Sequence, residues 1–182
     1  MAFDSVLPSV QSGLDDMALA ALSPTPDRKE AFTFSESYLA HGQLSLVRAE
    51  DADKFKDASA MVAGVTMGAQ KGSYQQTVAE HYYPDCTGRY METIPNVIMD
   101  LKAGRVDVIA VDQVLGEYTN KNLGGEMKEC SYDLGDDYYV IGFAKDNTEL
   151  RDKVNDAIGK LYENGEAAKI SESWFGKDIV VF

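Results

Sequence analysis

The stretch Asp16-Met17-Ala18-Leu19-Ala20-Ala21-Leu22-Ser23-Pro24-Thr25-Pro26-Asp27-Arg28 passes from an apolar segment directly into a polar turn. Residues 16–22 form a short apolar run that reads as a buried strand. The following Ser-Pro-Thr-Pro-Asp-Arg-Lys-Glu carries two prolines, a turn signal that ends the strand. Two hydroxyls, Ser23 and Thr25, and one arginine, Arg28, therefore sit where a strand gives way to a turn.

Working outward, the same alternation recurs. Upstream, Phe3–Gly13 places Val6, Leu7 and Val10 on one helical face, with Gly13 as a helix stop. Downstream, residues 41–49 (HGQLSLVRA) read as a strand, and the charged DADKFKDAS as a loop or short helix. Residues 62–69 (VAGVTMGA) are strand-like, and SYQQTVAEHYY is helical with Ser73 as its N-cap. Asn96 to Leu101 fit a helix closed by Gly104, VDVIAVD (106–112) is a buried strand, and VLGEYTNKN a short helix. YYVIGFAK (138–145) is a further strand. Leu150, Val154, Ile158 and Leu161 then fall at helical spacing, Asn164-Gly165 ends that helix, and a last one carries Ala168, Ile170 and Trp174. Strands alternating with helices predict an α/β protein with largely parallel sheets. Ligand sites in such sheets lie beyond the carboxyl ends of strands, here at residues 21–28, 70–75 and 110–114.

Composition narrows the function classes. The chain has 182 residues, 45% of them hydrophobic, enough for one core or two small lobes. Seventeen basic against 30 acidic residues give a net charge of −13, which disfavours nucleic acid and anionic membranes as partners. Solubility is the plain reading of that charge, and its field would also favour a cationic ligand. No apolar run approaches the ~20 residues of a membrane-spanning helix. No signal peptide is visible at Met1-Ala2-Phe3-Asp4, so an extracytoplasmic location requires a leader removed earlier. Cys86 and Cys130 show no CxxC spacing, and with His41 and His81 as the only histidines there is no recognisable metal-ligand set. One disulfide and two separate thiols are both open readings. No cofactor motif is present.

Three places carry candidate chemistry. Arg28 has the planar fork suited to a carboxylate, with Ser23 and Thr25 beside it. On spacing alone, a surface arginine paired with Asp27 or Glu30 is the more common role. Gln70-Lys71-Gly72-Ser73-Tyr74 offers backbone N–H groups at a helix start, suited to an anion. It is also an ordinary loop with a serine cap, and it lacks the GxxxxGK[ST] pattern of a nucleotide site. Asp112 ends an apolar strand and could pair with an ammonium, although capping the next helix is the commoner role for such an aspartate. Together they offer one cation, one anion-binding loop and one anion, the complement of a free α-amino acid.

At this point a resemblance enters. The chain resembles the extracytoplasmic solute-binding proteins (family 3) of polar amino-acid ABC transporters, above all those for glutamine and for histidine or lysine/arginine/ornithine. FDSVLPSVQSG is similar to the family's "FDGLIPALQSGKID", and ALSPTPDRKEAFTFSESY to "GMSPTPERKKQVDFSDPY". GAQKGSYQQ is similar to "GVQKGTTQE", LKAGRVDVIAVD to "LLNGRVDAVVAD", and the ending resembles the family's terminal helices with their WFG signature. These matches run in order along nearly the whole chain. They imply a periplasmic-binding-protein type II-like fold: two α/β lobes, mostly parallel sheets and two hinge crossings, closing over the ligand. Lobe 1 would comprise residues 1–46 and 138–182, and lobe 2 residues 47–137.

The resemblance assigns the family's carboxylate-binding arginine to Arg28 and its hydroxyl to Ser23. Its carboxylate loop falls on Gly72, Ser73 and Tyr74 beside Lys71, and its ammonium-binding aspartate on Asp112. Ala21 stands where the family usually has Gly or Ser, and its carbonyl would meet the ammonium. Tyr74 replaces a small residue. The family's opening strand-helix-strand, with its aromatic clamp, has no counterpart here, so lobe 1 is expected to be incomplete. That expectation carries another: copies of the chain associate, as a homo-oligomer or by exchanging elements.

The function implied is capture of a free amino acid for an ABC transporter, with the transporter's membrane subunits as partners and no enzymatic activity. A sensory ligand-binding domain and a homologue that has lost ligand binding are the alternatives. A dehydratase of the same fold needs an acid or base in the cleft, and His41 and His81 read as surface residues away from the three loops.

Overall fold

The computed structural model describes residues 1–122, 124–130 and 136–182. In chain order it contains α1 (Val6–Gln11), β1 (Ala18–Leu22), α2 (Pro26–Ala31), β2 (Phe32–Phe34) and β3 (Leu39–Arg48). Next come β4 (Thr66–Gln70), α3 (Tyr74–Tyr82), β5 (Thr87–Met91), α4 (Ile94–Lys102), β6 (Val108–Asp112) and α5 (Gln113–Asn122). The rest are β7 (Met127–Cys130), β8 (Asp136–Ala144), α6 (Thr148–Glu163) and α7 (Glu166–Phe175). The chain forms two compact units: Met1, Ser5–His41 and Asp136–Phe182 in the first, Ala2–Asp4 and Gly42–Gly135 in the second. It passes from the first to the second within β3, after His41.

In the first unit β8 pairs antiparallel with β1 and with β2. The two share Gly142 in register, so they flank β8 on opposite sides. A side chain at Gly142 would press on Leu7, Leu22 and Phe34, each 3.1–3.3 Å from its Cβ position, so α1 and both neighbouring strands close over this one glycine. Of residues 16–22, expected as a buried strand, only Ala18–Leu22 form one, and it is half-exposed: Ala18 and Leu22 are buried, whereas Leu19 is 63% exposed. An apolar run cannot by itself separate a strand covered on both faces from one covered on one. The Ser-Pro-Thr-Pro turn leads directly into α2, with Thr25 as N-cap and Pro26 in the first turn, where its missing N–H has no helical partner to lose.

In the second unit β6 runs antiparallel to β3, which also pairs antiparallel with β7, while β4 lies parallel to β5 and β6. The expected parallel pairing is thus made by β4, and β3 brings the antiparallel component. Two clusters cover the sheet. Phe55, Met67, Ala69, Val78 and Val108 pack in one, and Leu46, Val97, Leu101, Ile109 and Met127 in the other. Phe55, inside a segment that reads as polar loop, is fully buried. Cys130 is buried, Cys86 half-buried, and no disulfide joins the two. Among the described residues no helix is long and apolar enough to cross a membrane.

Candidate functional site

Both units present polar residues where strands end. In the first unit the chain leaves β1 through Ala21, whose φ of 51° lies in the left-handed region. Only glycine adopts that region without steric penalty, so Ala21 is strained there. Two residues on, Ser23 is buried. The Thr25 cap, at 3.4 Å from the Arg28 N–H, fixes the first turn of α2. Arg28 is thereby turned back toward the strand end, where its Nη1 donates to the Ser23 carbonyl at 2.8 Å. Burial lowers the Arg28 pKa, and the carboxylate of Asp137 opposes that shift. The guanidinium is therefore a partly desolvated cation, and its pairing strength is greater than that of a surface arginine.

Ser23 and Asp137 meet although 114 residues separate them: Asp137 Oδ2 accepts the Ser23 hydroxyl. His41 joins them: its Nε2 is 3.7 Å from Asp137 Oδ2, and its ring stacks on Tyr139 with centroids 3.9 Å apart. The expectation of a surface histidine fails for His41, which is buried, and holds for His81, which is exposed. The neighbouring Tyr139 ring shields His41, a long-range contact that local sequence does not encode.

In the second unit β4 and β6 are adjacent and parallel, so the Lys71–Tyr74 turn and Asp112 lie at the same sheet edge. Gly72 takes φ +73°, and an added Cβ would lie 2.7 Å from the Asp4 Cβ. Gly72 N–H donates to Gln76 Oε1 at 2.9 Å, Lys71 N–H to Met91 O at 2.8 Å and Ser73 N–H to Gln70 O at 3.2 Å. Ser73 Oγ accepts from Gln76 N–H and caps α3. A side-chain amide such as that of Gln76 can swing away from Gly72, whereas the two carbonyl partners are fixed in backbone. Lys71 Nζ lies 3.0 Å from Asp4 Oδ2, a hydrogen bond that raises the ammonium's pKa. Asp112 Oδ1 accepts from Leu115 N–H at 2.8 Å, the capping role. A carboxylate has a second oxygen, so capping does not consume its acceptor capacity. Around this edge three glutamines gather: Gln75 donates to Gln43 at 2.9 Å, and Gln113 accepts from the Gly42 N–H at 3.2 Å. None was singled out from sequence. The signal available was the alternating polar pair His41 and Gln43 in the first half of β3.

Among the described residues no group of three or more His, Cys, Asp or Glu side chains could hold a metal ion. The arrangement suits binding by hydrogen bonds and charge.

Residues 1–177 match the family of bacterial extracellular solute-binding proteins, family 3. The arginine-binding extracellular protein ArtP of Bacillus subtilis is 27% identical over 183 residues, covering 96% of this chain and 69% of that protein. The glutamate-binding protein GluB of Corynebacterium efficiens is 28% identical over 174 residues, covering 93% of this chain and 59% of that protein. In structure, the amino acid ABC transporter substrate-binding protein AbpA of Streptococcus pneumoniae, bound to L-arginine, superposes with a TM-score of 0.90 at 31% identity. That superposition covers 98% of this chain and 76% of AbpA. The likeness to AbpA establishes a type II periplasmic-binding-protein fold. With its model matched from the first residue to residue 177, the chain belongs to the bacterial extracellular solute-binding proteins of family 3.

Proposed function

We propose that this chain captures a free polar or charged amino acid outside the cytoplasm and delivers it to the membrane subunits of an ABC transporter. The observation that carries this reading is the partly buried Arg28 guanidinium beside Ser23 at the end of β1. Arginine and glutamate, named for the relatives, differ in side-chain charge but share an α-carboxylate and an α-ammonium. In this reading Arg28 and Ser23 grip the carboxylate, assisted by Gly72 and Ser73, while Asp112 and the Ala21 carbonyl take the ammonium. Lys71 and Tyr74 flank the ligand and contribute to selectivity. Binding is the whole activity, with no catalytic step, no metal and no cofactor. The test is calorimetric titration against the twenty amino acids plus ornithine and citrulline. One-site binding of at least one of them supports the reading, and silence across the panel favours a homologue that has lost its ligand.

We also propose that copies of the chain associate. This is supported by an apolar groove of about 370 Å³ on the first unit, lined by Leu19, Leu39, Ile158, Leu161, Ile170 and Val180. The α6 residues at helical spacing, Leu150, Val154, Ile158 and Leu161, are not fully buried, and Leu161 is 43% exposed. Apolar patches of this kind mark interaction surfaces. Size-exclusion chromatography with light scattering giving a clean monomer at high concentration would refute association.

A further inference from the structure

Asp137, near the start of β8, belongs to none of the ligand positions discussed above, yet it holds the Ser23 hydroxyl and its charge acts on Arg28. It is only 9% exposed. Its Oδ1 accepts from the Tyr138 N–H at 2.8 Å, its Oδ2 accepts the Ser23 hydroxyl, and the same Oδ2 lies 3.7 Å from His41 Nε2. It is also the charged group that supports the Arg28 cation against burial. A serine has one proton to donate, and an ionised aspartate has none. An arriving α-carboxylate therefore finds the Ser23 proton already given and the guanidinium already within an anion's field.

We propose that Asp137 is a built-in competitor for the carboxylate half-site, holding Ser23 and Arg28 until a ligand's carboxylate takes them over. The inference rests on the carboxylate-binding reading of those two residues. It makes Asp137 a determinant of affinity: each binding event must part Ser23 from Asp137 or place two carboxylates around one guanidinium. The like charges repel, and the shielding of Asp137 from water keeps that repulsion from being screened away. The alternative role for a buried carboxylate here, pairing with the ligand's ammonium, has the opposite consequence for affinity.

The test uses the full chain and Asp137→Asn, which keeps shape and removes charge. L-Arginine and L-glutamate are the calorimetric probes at pH 7. The proposal expects Asp137→Asn to tighten binding at least tenfold, or to bind where the unaltered chain is silent. Weaker binding by the variant overturns it and assigns Asp137 to the ammonium. A ligand-free measurement separates this inference from the reading beneath it: thermal unfolding of the unaltered chain, Arg28→Gln, Asp137→Asn and the double variant, followed by far-UV circular dichroism. Strongly non-additive midpoints support the contact, and additive ones overturn the proposal whatever binds. Silence of both proteins toward both probes overturns the competition. With coupled midpoints the fault then lies in the ligand reading, and with additive ones in the Asp137 contact itself.

Discussion

Ala21 is the single non-glycine residue with positive φ among the described residues, at 51°. An L-residue in that region is strained by about 1–2 kcal/mol relative to the right-handed one. Ala21→Gly removes the strain but gives the unfolded chain more freedom, an offset of about 0.4–1 kcal/mol. The Ala21 methyl is exposed, so its loss sacrifices little packing. The balance is a stabilisation of about 0.5–1 kcal/mol, or roughly 1–4 °C in Tm for a chain of this size. Ala21→Val moves the other way, because a β-branched side chain fits the left-handed region worst, and a loss of at least about 1 kcal/mol is expected. Thermal unfolding followed by far-UV circular dichroism is the assay. Since the ligand would meet the residue-21 carbonyl, a backbone group, Ala21→Gly should retain binding. A lowered midpoint for Ala21→Gly, or an unchanged one for Ala21→Val, would refute the claim that this turn is strained.

Gly72→Ala should destabilise the second unit by about 1–3 kcal/mol, because φ is +73° and the new methyl would meet the Asp4 Cβ at 2.7 Å. Denaturant midpoints measure it, and amino-acid affinity should fall with the displaced loop. Asp100 bonds Arg89 at 2.7 Å and Arg105 at 2.6 Å, and these hydrogen bonds hold its carboxyl below the ordinary value. A depressed folded pKa contributes stability above the unfolded value, about 3.9 for aspartate, and loses it as pH falls through the folded one. Acid unfolding of Asp100→Asn should therefore depend less steeply on pH below about 4 than that of the unaltered chain. Burial pushes the phenols of Tyr83 and Tyr90 up to about 12. Alkaline titration followed near 295 nm should show a late phase close to that pH, and Tyr83→Phe and Tyr90→Phe should each remove part of it.

Much of the fold is legible because its signals are local. VDVIAVD gives β6, Ser73 caps α3, and Gly104 follows α4 with φ +68°. What escapes local reading is set by long-range packing. β5 (Thr-Gly-Arg-Tyr-Met) is largely exposed, and β7 buries only its ends, Met127 and Cys130, so neither shows an apolar run. The apolar stripe of α6 correctly marks a helix, but whether a stripe is covered depends on what packs against it. The site divides in the same way. Arg28, Ser23, Gly72 and Asp112 can be picked out because each sits next to a strand end, where the chain announces a turn. Asp137 and His41 cannot, because their surroundings come from residues far away in sequence: Ser23 for Asp137, and Asp137 and Tyr139 for His41.

The central claim is that Arg28 grips a ligand carboxylate. Losing one partner of a buried charge pair costs on the order of 2–5 kcal/mol, a factor of roughly 30 to several thousand in Kd. The direct measurement pairs two deletions: Arg28→Met in the protein, and replacement of the carboxylate by a carboxamide in the tightest-binding amino acid. Calorimetry gives the four dissociation constants. If Arg28 holds the carboxylate, each deletion alone weakens binding by that factor, and once Arg28 is gone the carboxamide binds about as well as the acid. If the two losses simply add, or Arg28→Met leaves affinity unchanged, Arg28 does not hold the ligand and the account fails.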